Sequence, residues 1–127
     1  MIEMLKLGAD KEVIESLGLD LSGAAHFVQY IGEGVSFPIL SSMDDYGTRL
    51  LDLSEVGLLI GELKKVLGHE DLSHYQAAVV GKDAKELDKN MAEYEKHRLA
   101  MNKKELVQII AFLEAPSEAQ YLSCEGD

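Results

Sequence analysis

The sequence predicts an α+β fold: a small antiparallel sheet from the N-terminal half, packed against helices from the C-terminal half. Three observations lead there. The first half is rich in glycine and carries strand-like alternation, as in Val35, Phe37 and Ile39 set against Ser36 and Pro38. The second half carries apolar stripes at helical spacing behind recognisable caps. The length of 127 residues, with 46% hydrophobic and 28% charged residues, suits one soluble globular domain spanning residues 1–127.

Each element has its own signal. "GADKEVIESLG" reads as a short helix over 10–18, with Asp10 as N-cap and Gly18 as stop. "AHFVQYI" (25–31) is aromatic and β-branched, the composition of a strand. "GEG" (32–34) marks a turn, and "VSFPIL" (35–40) a second strand. Pro38 has no N–H to give a ladder, so that strand belongs at an edge. "SSMDDYG" (41–47) is a loop, and "TRLL" (48–51) a third strand antiparallel to the second.

The helices are more sharply marked. "DLSE" (52–55) is a capping box, with Leu51 and Val56 as its hydrophobic staple. Val56, Leu59, Ile60, Leu63 and Leu67 then form a stripe that Gly68 ends. Gly57 and Gly61 cost about 1 kcal/mol each relative to alanine. Their spacing predicts a backbone packed closely against them, from this chain or from a second copy in a homodimer. "LSHYQAAVV" (72–80) reads as a short helix. "DAKE" (83–86) starts a charged helix with a narrow stripe of Leu87, Met91 and Tyr94. "NKKE" (102–105) starts another, stapled by Met101 and Leu106 and ended by Pro116. "QYLSC" (120–124) adds a last strand.

Charge narrows the function. The net charge of −11 comes from 12 basic and 23 acidic residues. Such a surface repels polyanions, which argues against nucleic acid and anionic membrane as partners and favours a basic or mixed-charge protein. The excess is uneven: residues 82–105 balance at +1 and the rest of the chain at −12. A single cysteine, Cys124, allows no internal disulfide and fits a reducing cytoplasm. The start "MIEMLKLGAD" lacks the pattern of a signal peptide, and no apolar run approaches the ~20 residues of a membrane span.

Reactive side chains do not gather into a known pattern. "LGHEDLSHY" (67–75) places His69 and His74 five residues apart, roughly 140° on a helix, rather than on the shared face of an HExxH motif. The stretch reads as a connector, in which His69, Glu70 and His74 lack the further ligands that zinc sites use. His26 is expected to be a partly buried polar residue with a hydrogen-bond partner. Cys124 has acidic neighbours, which do not activate a thiol. Ser41 and Ser42 lack a nucleophile-elbow context. No catalytic residue, metal ligand or cofactor is assigned. The surface stretch that stands out is "MDDYG": Asp44, Asp45 and Tyr46, with Glu33 nearby if the loops share an end. Tyrosine is enriched in protein contacts.

The stretch "FPILSSMDDYGTRLLDLSEVGLLIGEL" (37–63) resembles a group of small uncharacterised bacterial proteins. The shared features are Pro38, Leu40, Asp44, Tyr46, Gly47, Thr48, Glu62 and Leu63, and "YLSCEGD" is similar to an apolar-then-G-D ending. The chain departs from the pattern in lacking an acidic residue between Gly47 and Thr48. The resemblance implies a bacterial α+β domain without an established activity, and it transfers no catalytic residue. The expectation is therefore a non-enzymatic, protein-binding role of immunity or antitoxin type in the cytoplasm. A small metal-dependent hydrolase built on His69, Glu70, His74 or the Asp44/Asp45 pair is the alternative, as is a self-associating scaffold.

Overall fold

A computed structural model describes residues 1–80 and 99–126. The fold is α+β. Ten elements follow in order: β1 (Ile2–Leu7), β2 (Val13–Leu17), α1 (Ser22–Ile31), a 3-10 turn (Gly34–Ser36), α2 (Pro38–Ser41), β3 (Thr48–Asp52), α3 (Leu53–Leu67), α4 (Leu72–Val80), α5 (Lys103–Glu114) and β4 (Tyr121–Gly126). The four strands form one antiparallel sheet in the order β2-β1-β4-β3. The charged helix expected from 83 lies outside the described residues.

Three local expectations are corrected. The segment 10–18 is not a helix: its apolar residues Val13, Ile14 and Leu17 sit on β2, hydrogen-bonded to β1. Asp10 caps nothing there. The chain reverses at Gly8–Glu12, with Lys11 in the left-handed region at φ 63°. The alternating run "IEMLKL" supplies β1, a strand the composition analysis passes over. Segment 25–31 is a helix rather than a strand. Leu21, Ala24, Ala25 and Val28 are buried at helical spacing, and this tertiary demand overrides the β-branched and aromatic composition. Segment 35–40 is a 3-10 turn leading into α2. Pro38 occupies the first helical turn, where its missing N–H costs nothing.

As a consequence β3 does not pair with segment 35–40. It pairs with β4, Leu51 opposite Leu122, and β4 pairs in turn with β1, Met4 opposite Cys124. The last strand is thus a central one.

Helices α3, α4 and α5 match expectation. Asp52 Oδ1 accepts from the Glu55 N–H at 2.9 Å and Glu55 Oε1 accepts from the Asp52 N–H at 3.2 Å, completing the capping box. Asn102 caps α5 by accepting from the Glu105 N–H at 2.8 Å. Leu59, Leu63 and Val66 of α3 and Leu106, Ile109 and Ile110 of α5 are buried. They join Phe27 and Val28 of α1 and Ile2, Met4, Leu51, Leu122 and Cys124 of the sheet in a single core. Gly57 and Gly61 correct a further expectation. Among the described residues, an added Cβ at either would meet nothing within 4 Å, so none of them packs closely there.

One buried carboxylate holds two helices together. Glu62, on α3, is 4% exposed. Its two oxygens accept from the Ile39 N–H at 3.1 Å and the Leu40 N–H at 2.9 Å. It satisfies the orphan amides at the start of α2, which has no side-chain cap of its own.

Candidate protein-contact surface

The register divides the sheet into two faces. Ile2, Met4 and Lys6 of β1 share one face with Cys124 and Leu122 of β4 and with Arg49 and Leu51 of β3. The apolar residues of this face enter the core. The opposite face carries Glu3, Leu5 and Leu7 of β1, Glu125, Ser123 and Tyr121 of β4, and Thr48, Leu50 and Asp52 of β3. None of those nine joins the main core cluster, but Leu7 and Ser123 are buried. Val13, opposite Leu7 on the edge strand β2, is 60% exposed, and Leu50 on the other edge is 37% exposed. The outer face thus exposes apolar surface at its two edge strands.

One end of this face is acidic. Glu3 stands directly opposite Glu125, and Glu125 opposite Thr48. Like charges in this position destabilise a sheet by a few tenths of a kcal/mol, and neither carboxylate makes an ion pair with a described residue.

The loop "MDDYG" extends the same end. The Gly126 N–H donates to the Gly47 carbonyl at 2.7 Å, which ties the loop to the end of β4. Gly126 leaves no room for a side chain, since a Cβ would collide with the carbonyl oxygens of Asp44 and Asp45. Within the loop, Asp44 Oδ1 accepts from the Tyr46 N–H at 2.9 Å, the local turn that aspartate favours. Tyr46 does not fold back on the core: it is 85% exposed. Asp44 is also exposed.

Asp45 is different. Its Oδ2 lies 2.8 Å from His26 Nε2, on α1, in a pair that is only about one-third exposed at each side chain. Burial opposes ionisation of Asp45, but the hydrogen bond and charge of His26 outweigh it, helped by the amino group of Met1. Its pKa is held below the usual carboxylate range. His26 has thus the bonded, half-buried setting expected of it, on a helix instead of a strand. Asp45 anchors the loop and leaves Asp44 and Tyr46 to face outward.

Glu33 lies elsewhere. It follows the C-terminal end of α1, about 10 Å along the axis from His26, and its Oε2 is 3.4 Å from His69 Nε2. His69 stacks edge-on against Phe27, with ring centroids 5.2 Å apart, and its Nδ1 accepts from the Asp71 N–H at 3.1 Å. The connector "GHEDLSH" therefore holds its first histidine against the α1 helix. His74, on α4, instead lies beside Tyr30, at 6.4 Å between centroids. Among the described residues no three His, Cys, Asp or Glu side chains are grouped as a metal would require. Cys124 is buried in the core, where desolvation pushes its thiol up to about 12.

The surface thus unites Asp44 and Tyr46 with two acids that sequence reasoning missed, Glu3 and Glu125. The signal for Glu3 was the alternation of "IEMLKL"; nothing local announces that Glu125 lies opposite it. No helix among the described residues is long and apolar enough to cross a membrane. Comparison with models of known protein families finds no match, and neither the curated proteins nor the solved structures yield one.

Proposed function

We propose that this chain is a non-enzymatic, protein-binding module of immunity or antitoxin type, acting in the cytoplasm. Its acidic sheet end and the exposed apolar residues on the edge strands would occlude a basic or mixed-charge partner. The observation that supports this reading is the placing of exposed Tyr46 and Asp44 beside the opposed Glu3/Glu125 pair. Carboxylates held together without cations are a standing electrostatic cost, and a basic surface relieves it. Charge complementarity of this kind acts chiefly on the rate of encounter. Val13, Leu50 and Tyr46 supply exposed apolar area to hold a complex together.

The test begins with affinity isolation of the partner from the source organism, followed by stopped-flow association. Asp44→Lys with Glu125→Lys should slow association about tenfold or more at low salt and flatten its salt dependence. Tyr46→Ala should act mainly on dissociation. An on-rate indifferent to both charge reversals sinks the proposal. The competing reading is self-association through α3. It draws on the bare Gly57 and Gly61 surface flanked by Leu58, which is 59% exposed. Sedimentation of the purified protein decides between them.

A further inference from the structure

Lys6 sits in an unusual place. It belongs to the core face of β1 and is only 5% exposed. Lysine is almost never buried without a charged partner, because the ammonium loses its water. A carboxylate is at hand: the register sets Glu15 directly across from Lys6, on the edge strand β2. Yet no ion pair joins them. The lysine side chain runs the other way. Its Nζ lies 4.4 Å above the ring of Phe112 and donates to the Ala115 carbonyl, at the C-cap of α5, over 3.3 Å. The helix terminus and the ring are both partners for a cation. Neither carries a full negative charge, and an ammonium has three N–H groups to place.

Beside Lys6 is a cavity of about 160 Å³. Its walls are Leu53, Val56, Leu113 and Leu122, with Ser117 on the loop that follows α5. Leu53 is 56% exposed, so it stands at the mouth. The volume is close to the ~150 Å³ that accommodates a benzene-sized body in an apolar protein cavity. A buried cation with no counter-ion, next to apolar walls of that size, matches one ligand chemistry. The geometry points to a binding site for a small amphipathic carboxylate, with its ring or short chain against the leucines and its anionic head on Lys6. This site is separate from the acidic end of the sheet and does not depend on the protein-binding reading.

Benzoate titrated into the intact, isotope-labelled chain and followed by NMR is the direct test. Saturable shifts confined to residues around the cavity are expected. Lys6→Met, which keeps the length of the chain and removes the charge, should weaken binding at least about tenfold, the worth of a hydrogen bond to a charged group. Benzyl alcohol and inorganic phosphate separate the two halves of the site. The alcohol lacks the charge and phosphate lacks the apolar body, so each should bind at least tenfold more weakly than benzoate. Leu53→Trp tests the same cavity without touching the buried lysine, and it should block binding by filling the mouth. The inference is overturned by any one of four results: no saturable binding to the wild-type chain, equal binding by the alcohol, equal binding by phosphate, or undiminished binding to Leu53→Trp. If Lys6→Met does not fold, the tryptophan variant and the two control ligands decide the matter.

Discussion

Helix α3 begins with a reciprocal cap between Asp52 and Glu55, and α5 begins with Asn102 bonded to Glu105. Helix α1 follows Leu21, which offers no side chain to its amides; the Ser22 amide goes instead to Asp20 Oδ1, which at the same time accepts from Ile2 on β1. Helix α2 has four residues and borrows its cap from Glu62, 22 to 23 positions away in the chain. The first pair of helices is specified by neighbours in sequence. The second pair is tied to partners distant in the chain: α1 through the carboxylate that Asp20 shares with Ile2, α2 through Glu62. Local capping stabilises by about 1 kcal/mol wherever the helix is found. A borrowed cap works only after the fold has formed, so its loss should be felt cooperatively across the elements it joins.

The sharpest way to break this contrast is at Glu62. Glu62→Ala leaves two amides buried without acceptors and should cost on the order of 3 kcal/mol in urea or thermal unfolding. Glu62→Gln keeps one acceptor oxygen and should cost less. A loss below about 1 kcal/mol for the alanine variant would mean that α2 holds its conformation without α3.

Glycines probe the same difference with opposite signs. In α1, a Cβ on Gly23 would lie 2.7 Å from Met101 Cβ and 2.8 Å from the Leu99 carbonyl. Gly23→Ala gains about 1 kcal/mol of helix propensity. It must also displace that backbone, and overpacking costs about 1–3 kcal/mol. A net loss of about 1–2 kcal/mol is expected. In α3 no described residue opposes the gain, so Gly57→Ala and Gly61→Ala should each stabilise by about 0.5–1 kcal/mol. Equal signs in the two helices, measured by chemical denaturation, would erase the distinction.

The smallest effect concerns the Asp45–His26 pair. The folded-state pKa of Asp45 lies below its ordinary value. The stabilisation it gives is therefore complete above the unfolded-state value near ~3.9 and is lost as pH falls through the folded one. Asp45→Asn should flatten the acid limb of the stability curve below about pH 4. At about one-third exposure the change should stay below about 1 kcal/mol. An unaltered acid limb would show that the loop is anchored by Gly126 and not by this pair.

These contrasts also explain what could be read from the chain beforehand. The capping box at 52–55, the stripe from Val56 to Leu67 and the stop at Gly68 are statements about residues a turn apart, and they hold in the structure. The loop expected at 41–47 and the strand expected at 48–51 lie close to the observed loop after α2 and to β3, and were legible from turn chemistry and composition. The errors fall where two periods compete. "VIESL" satisfies both helical and extended spacing, and its pairing with β1 decides the matter. "AHFVQYI" has strand composition, yet Asp20 receives the amides of both Ile2 and Ser22, at 2.7 and 2.9 Å, and fixes a helix start where β1 begins. At the contact surface, Asp44 and Tyr46 were visible because turn chemistry exposes them. Glu33 was expected beside them only if the two loops shared an end; it follows the C-terminal end of α1 and faces His69 instead. Glu125 and Lys6 draw their meaning from cross-strand register, which no window of sequence contains.

The central position of β4 has a consequence for synthesis. Met4 and Cys124 are neighbours across the ladder, so the nascent hairpin of β1 and β2 leaves the ribosome long before the strand that joins it to β3. Until residues 121–126 emerge, β1 and β3 each present an unzipped edge, and the closing step must bring together distant parts of the chain, the slow kind of folding event. A ribosome stalled ahead of Tyr121 would hold a chain with the β1–β2 hairpin formed and β3 left without a strand to pair with.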